Sequence, residues 1–269
     1  MRLVIWMRPS HLKRMAMNLI GMQTLYKREV WRFMKVWNQT LTAPMVTTIL
    51  FFMIFTVALG RADITMGALP FDLFIAPGLI MMAIVQNAFA NTSSSLMLQK
   101  IQGVIVDLLM PPLSPSEITI AMTLGGVTRG VLVGLSVSLA MYACVPFGLH
   151  DPLAAFLFVT LASSMMALLG MLTGIWSQSF DQLAAITNYV VTPLSFLSGT
   201  FYTISSLPEF FQHISHANPF YYMIDGFRYA LTGYSDSDPS LGLCVLLGCN
   251  IVLAAFVHYL LQTGYRLKS

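Results

Sequence analysis

Residues 73–99 read LFIAPGLIMMAIVQNAFANTSSSLMLQ, a stretch without one charged side chain. A helix needs about 20 apolar residues to cross the hydrocarbon core of a bilayer, so this stretch is a membrane span. Its second half, Gln86-Asn87-Ala88-Phe89-Ala90-Asn91-Thr92-Ser93-Ser94-Ser95, is polar for such a segment. Helical periodicity puts Asn87, Asn91, Ser94 and Ser95 on one face, and that face should turn away from lipid. The span runs on into Lys100-Ile101-Gln102-Gly103-Val104-Ile105-Val106-Asp107-Leu108-Leu109-Met110, a short amphipathic segment stopped by Pro111, Pro112 and Pro115. A loop of this kind can touch something outside the membrane.

Working outward, the 269 residues are 57% hydrophobic and 9% charged, with a mean hydropathy of +0.73. That balance excludes a soluble domain. Charged residues cut the chain into uncharged runs at Val36–Gly60, Leu73–Gln99, Gly130–His150, Pro152–Phe180, Gln182–Pro208 and Pro239–Tyr265. Each can cross once, which predicts an all-α membrane protein with six transmembrane helices. The net charge of +3 matters less than its placement. Arg2, Arg8, Lys13, Arg14, Lys27, Arg28, Arg32 and Lys35 precede the first run, and Arg266 and Lys268 follow the last. The positive-inside bias puts both termini in the cytoplasm. Met1–Ser10 lacks the apolar core of a secretory leader, so the first span is expected to serve as its own address. Cys144, Cys244 and Cys249 have no metal-ligand or redox spacing and read as packing residues inside spans.

Ahead of the first span, Met22, Tyr26, Val30, Phe33 and Trp37 recur at helical spacing opposite Lys27, Arg28, Arg32 and Lys35. This pattern predicts an interfacial helix on the cytoplasmic leaflet. Arg61–Asp72 is a short external loop. The third span carries Gly126, Gly130 and Gly134 at four-residue steps, and the fourth carries Gly170 and Gly174, so both present faces for close helix packing. Arg129 is read as lying within a turn or two of the inner surface, where its side chain snorkels to the headgroups; a functional charge inside the membrane is the alternative. In the fifth span Asn188, Thr192, Ser195 and Gly199 share a face, and Pro193 should bend the helix. Two spans thus own a polar stripe. Helix-to-helix hydrogen bonding accounts for any one of these side chains, whereas the matched pair of stripes points to a pathway.

Between Tyr202 and Pro239 the chain is external yet apolar. Ser205-Ser206-Leu207-Pro208-Glu209 opens one short helix, and Asn218-Pro219, a cap and first-turn pair, opens a second that Gly233 ends. In the second, Asp225 and Arg228 are three apart and can pair. Neither helix is long enough to cross. They should dip into or lie on the outer half of the membrane, with Tyr221, Tyr222, Tyr229 and Tyr234 as interface anchors.

The order of Ala76-Pro77-Gly78, Asn91-Thr92-Ser93-Ser94-Ser95, Thr192-Pro193-Leu194, Gly199-Thr200-Phe201-Tyr202, Asn218-Pro219 and Gly226-Phe227-Arg228-Tyr229 resembles the permease subunits of type-2 ABC exporters. That group includes NodJ-like, polysaccharide-export and drug-resistance permeases, and the resemblance is strongest to the YadH-like bacterial inner-membrane branch. It implies a single transmembrane domain over 1–269, working as a homodimer with two copies of a separate ATP-binding protein. It also implies an amino-terminal connecting helix at 15–38, a coupling loop at 101–117 with Ile105, Asp107, Leu108, Leu109 and Glu117 at the ATPase contact, and re-entrant external helices at 205–234 that include Asn218, Pro219 and Arg228. The translocation path would be lined by Asn87, Asn91, Ser94, Asn188, Thr192 and Ser195. ATP and magnesium would belong to the partner subunit and no cofactor to this chain. Membrane lipids and a second copy are further expected partners, and nucleic acid is not. The short tail after Tyr265 predicts no carbohydrate-binding appendage here.

Two other classes compete. An ion-coupled secondary transporter would want ionisable groups at mid-membrane, whereas Asp63, Asp72, Asp107, Glu117, Asp151, Asp181, Glu209, Asp225, Asp236 and Asp238 read as loop or span-end residues. A membrane-embedded enzyme would need a metal or acid/base cluster, and only His213 and His216, beside Glu209, share a helix face. A hydrolase of ATP is not expected, because the chain has no Gly-x-x-x-x-Gly-Lys-Ser/Thr sequence to cradle phosphates.

Overall fold

Helix α3 (Phe71–Ile101) is the axis of the computed structural model, which describes residues 17–58, 65–66 and 68–266. Both its apolar first half and its polar second half are buried, because other helices surround it: α2 (Ala43–Met53), α5 (Pro115–Tyr142), α6 (Pro152–Trp176) and α10 (Pro219–Thr232) all pack on it. The glycine faces make this approach possible. A methyl at Gly134 of α5 would meet Ile84 Cδ1 of α3 at 2.8 Å, and one at Gly170 of α6 would overlap Thr92 Oγ1 and the Phe89 carbonyl. The expected small-residue packing of the third and fourth spans is therefore what brings α5 and α6 onto α3.

Five helical segments among the described residues are long and apolar enough to cross a membrane: Asn38–Val57, Phe71–Ile101, Pro115–Tyr142, Pro152–Trp176 and Pro239–Thr263, the last being α11. The first is α2 with a wide turn of helix on either side. The sixth expected crossing, from the run at Gln182–Pro208, is not among them. That run divides into α7 (Phe180–Ile186), a wide turn at Thr187–Val191 and α8 (Thr192–Phe196). It then leaves the helix through Gly199, whose φ of +70° suits glycine. Pro193 sits just inside α8, and with no N–H to donate it marks where the winding changes.

Local signals set the helix ends. Ser114 and Glu117 form a capping box at α5, Asp151 caps α6, Ser179 caps α7, Asn218 caps α10 and Asp238 caps α11. Each side-chain oxygen takes an otherwise orphaned amide of the first turn. Gly233 closes α10 at φ +77°.

The amino-terminal helix α1 (Leu19–Met34) packs along α5 rather than resting on lipid alone. Its buried face is Leu25, Glu29 and Phe33, with Met22, Tyr26 and Val30 half-buried beside it and Trp37 exposed. The expected stripe is thus rotated toward Glu29, because that carboxylate has partners inside. After α3 come α4 (Ile105–Leu109) and, on the other side of the bundle, α9 (Glu209–Ala217). A strand pair, Thr65–Met66 with Leu69–Pro70, precedes α3. Arg2, Arg8, Lys13, Arg14 and Lys268, and the first part of the loop expected at 61–72, lie outside the described residues.

Two expectations are corrected by packing. Tyr221 and Tyr222 are not surface anchors: α10 lies inside the bundle against α3, α6 and α11, which buries both rings. Two of the three cysteines are not packing residues either, whereas Cys249 of α11 packs against the core as expected. Cys144 lies in the turn after α5, and Cys144 and Cys244 are exposed.

Candidate transport path and docking surface

The polar half of α3 faces two adjoining cavities. The first, about 740 Å³, lies between α3, the first span, α5 and α8, with Arg32, Gln39, Thr40, Phe51, Met82, Gln86, Asn87, Ser94, Arg129 and Thr192 in its wall. The second, about 570 Å³, lies between α3 and the run through α7 and α8 and brings Asn87 and Ser94 together with Asn188 and Thr192. The two stripes therefore converge, through these four residues. Asn91 and Ser195 do not line either cavity. Asn91 is fully buried under α1, where its Oδ1 and carbonyl accept from Arg32 Nη2 at 2.9 and 2.6 Å. Ser195 is buried and gives its hydroxyl to the Val191 carbonyl, one helical turn back.

Arg129 does not snorkel. It lies midway along α5, which stops at Tyr142 instead of running on to His150, and its Nη2 donates to Asn87 Oδ1 at 3.0 Å. The charge is held inside the cavity by α3.

At the end of α3 expected to be cytoplasmic, the docking set divides by face. Ile105 and Leu108, 6% and 2% exposed, join Leu25, Leu96, Ile118 and Met122 in an internal cluster. Glu117 is buried too: Oε2 accepts from the Ser114 amide at 2.6 Å and Oε1 from the Asn18 amide, so it ties the start of α1 to the start of α5. What faces outward is Ile101, Val104, Val106, Asp107 and Met110, with Val106 50% and Met110 77% exposed, while Leu109 is half-buried. An exposed apolar row on a short, proline-bounded helix suits a groove on another protein.

The opposite end of the bundle, expected to be external, is fixed by one buried cation. Arg228 Nη1 is 3.5 Å from Asp225 Oδ1, Nη2 donates to the Gly199 carbonyl at 2.6 Å and Nε to the Phe74 carbonyl at 3.2 Å, and the guanidinium lies 3.8 Å over the Phe74 ring. The expected Asp225–Arg228 pair is thus formed, and it joins α10 to the start of α3. Asn218 caps α10 and also donates to the Leu194 carbonyl and Ser198 Oγ at 3.1 and 3.0 Å, with Pro219 next in the first turn. In the following loop, burial and then the hydrogen bond given to Asp236 push the Tyr234 hydroxyl up to about 12.

Sequence reasoning missed Glu29 and Lys100. Glu29 accepts from Ser95 Oγ at 2.9 Å and pairs with Arg32 at 3.3 Å and Arg28 at 3.4 Å. Its signal was present, a carboxylate four residues from both Leu25 and Phe33 on the apolar side of α1. Lys100 Nζ donates to the carbonyls of Gly174, Ile175 and Ser177 at 3.3, 2.8 and 2.5 Å, closing the end of α6. No sequence spacing links those positions.

A bundle with cavities beneath a polar span and an apolar row outside it is the architecture of a membrane permease. Residues 21–232 match the ABC-2 type transporter family, and the chain belongs to that family. It is a multi-pass inner-membrane transport permease. It is 36% identical over 250 residues to the inner membrane transport permease YadH of Escherichia coli strain K12, which covers 93% of this chain and 98% of that protein. YadH of Shigella flexneri matches to the same extent. Nodulation protein J of Neorhizobium galegae is 25% identical over 236 residues, 85% of this chain and 89% of that protein.

Proposed function

We propose that the chain is the permease subunit of an ATP-driven exporter, acting as a homodimer with two copies of a separate ATP-binding subunit that carries the ATP and magnesium. The observation that carries this reading is the convergence of Asn87 and Ser94 with Asn188 and Thr192 on adjoining cavities, which supplies a polar route through an otherwise apolar bundle. The run through α7, α8 and the turn at Gly199 counts as the sixth crossing, so that both termini and α4 are cytoplasmic while α9 and α10 are external. The outward row of Val104, Val106 and Met110 is the contact for the ATPase, with Asp107 at its edge.

The reading is tested with the two proteins reconstituted in proteoliposomes. Asn188→Trp places a bulky ring at an exposed position on the second cavity, and it should abolish export while leaving assembly intact. Full export by an assembled Asn188→Trp complex would exclude this route, and ATP hydrolysis by this chain alone would exclude the division of labour.

A further inference from the structure

Arg129 is a cavity-lining cation without a counter-charge among the described residues. Among the described residues the ion pairs are Arg28 and Arg32 with Glu29, and Arg228 with Asp225. Arg129 is in none of them. A guanidinium carries five N–H donors, yet Arg129 makes the one bond to Asn87, and its Nε is buried with no partner. Arg32, whose carboxylate partner is shared with Arg28, lines the same cavity. The wall thus holds two arginines and no acidic residue. Charge in a membrane interior is costly unless paired, so the site is built to receive an anion. The rest of its wall mixes neutral polar side chains, Gln39, Gln86, Asn87 and Thr192 among them, with a hydrocarbon part formed by Phe51, Leu79, Met82 and Phe196. Its volume of about 740 Å³ falls within the roughly 300–1,000 Å³ of small-molecule sites.

Resting on the reading of this cavity as part of the export route, we propose that it binds an amphiphile with an anionic phosphate or carboxylate head, the head at Arg129 and Arg32 and the hydrocarbon along Phe51, Leu79 and Met82. The guanidinium forks suit a two-oxygen anion.

The probe is dioctanoyl phosphatidic acid, titrated into the full chain in a neutral maltoside detergent and compared with dioctanoyl phosphatidylcholine, dioctanoylglycerol and sodium phosphate, with thermal stabilisation as the readout. Phosphatidic acid should bind about tenfold or more tightly than the other lipids, the scale of one ion pair, and free phosphate should bind far more weakly than the amphiphile. Arg129→Gln should abolish the preference and Arg129→Lys should keep most of it. Val36→Glu adds a negative charge at an exposed position on the rim and should weaken phosphatidic acid selectively, which keeps the test alive if Arg129→Gln does not fold. Equal affinity for all lipids, a preference untouched by Arg129→Gln or by Val36→Glu, or free phosphate binding as tightly as the lipid would each overturn the site.

With the ATPase partner in proteoliposomes, ATP-driven movement of a fluorescent phosphatidic acid between leaflets identifies the amphiphile as cargo. Binding without movement identifies it as a resident lipid held at the same site. Loss of the lipid preference with ATP-driven export intact would remove this inference alone, whereas lipid preference in a chain that never couples to ATP would strike the export reading instead.

Discussion

Replacing Arg228 by Met keeps an unbranched aliphatic stem and removes the hydrogen bond and the ring contact that Arg228 makes to Phe74 of α3. The guanidinium is fully buried and serves two carbonyls, one carboxylate and one ring. Hydrogen bonds from a charged donor contribute about 1.5–3 kcal/mol each, and breaking a buried pair costs about 3–5 kcal/mol. These contributions overlap, because Asp225 would keep the donors of the Asp236 amide, the Ser237 amide and Ser237 Oγ at 2.9, 2.9 and 2.7 Å, while the carbonyls of Phe74 and Gly199 would each lose the Arg228 donor. The expected loss is therefore about 4 kcal/mol rather than the sum. Unfolding of the full chain in mixed detergent measures it, with Asp225→Asn and the double variant completing a cycle whose coupling should be about 1–3 kcal/mol. Arg228→Met within about 1 kcal/mol of the unmodified protein would refute the reasoning, because it would mean that the packing of α10 alone holds this end of the bundle.

Val106→Asp and Met110→Asp should release the ATP-binding subunit without lowering the stability of this chain, whereas Leu108→Asp should destabilise the chain with or without its partner; co-purification beside unfolding measurements separates the two. Lys100→Met leaves three carbonyls at the end of α6 short of a donor and should cost about 1–2 kcal/mol, read by the same unfolding assay. Glu29→Gln should loosen α1 from α3 by removing the carboxylate that Arg28 and Arg32 share, which faster proteolysis within residues 18–35 would reveal. In a background without the native cysteines, Ser235→Cys should react with an impermeant reagent from outside and Gly103→Cys and Ser179→Cys should not; labelling at Gly103 from outside would invert the topology.

What could be read from sequence was whatever depends on neighbours along the chain. The charge-free run of α3, the glycine steps of α5 and α6, the Asn218-Pro219 start and Gly233 stop of α10, and the Asp225–Arg228 spacing all act within a turn or two, and all appear in the structure. The choice of face on a short helix does not work that way. Ile105 and Leu108 differ from Val106 and Met110 only in what lies across from them, namely Leu25 of α1 and Ile118 and Met122 of α5, and periodicity cannot see across that gap. The same limit applies to the polar stripe. Asn91 belongs to the same helical face as Asn87, yet Arg32 reaches over from α1 and covers one while the other stays open to the cavities.

That covering has a mechanical consequence for the proposed coupling. α4 follows α3 after the turn at Gln102–Val104, and its inward residues Ile105 and Leu108 rest on α1 and α5. α1 is held at both ends: Asn18 donates to Glu117 of α5, and Arg32 binds Asn91 and, with Glu29, the Ser94–Ser95 part of α3. A partner pressing on Val106 and Met110 therefore cannot move α4 without loading α1, α3 and α5 together. The wall of the first cavity is assembled from these same pieces, with Arg32 at the end of α1, Asn87 and Ser94 on α3 and Arg129 on α5. Under the docking proposal, a displacement at the cytoplasmic surface would change the separation of Arg32 and Arg129 across the cavity. The affinity for an anionic head group is then the quantity through which ATP binding by the partner would be felt.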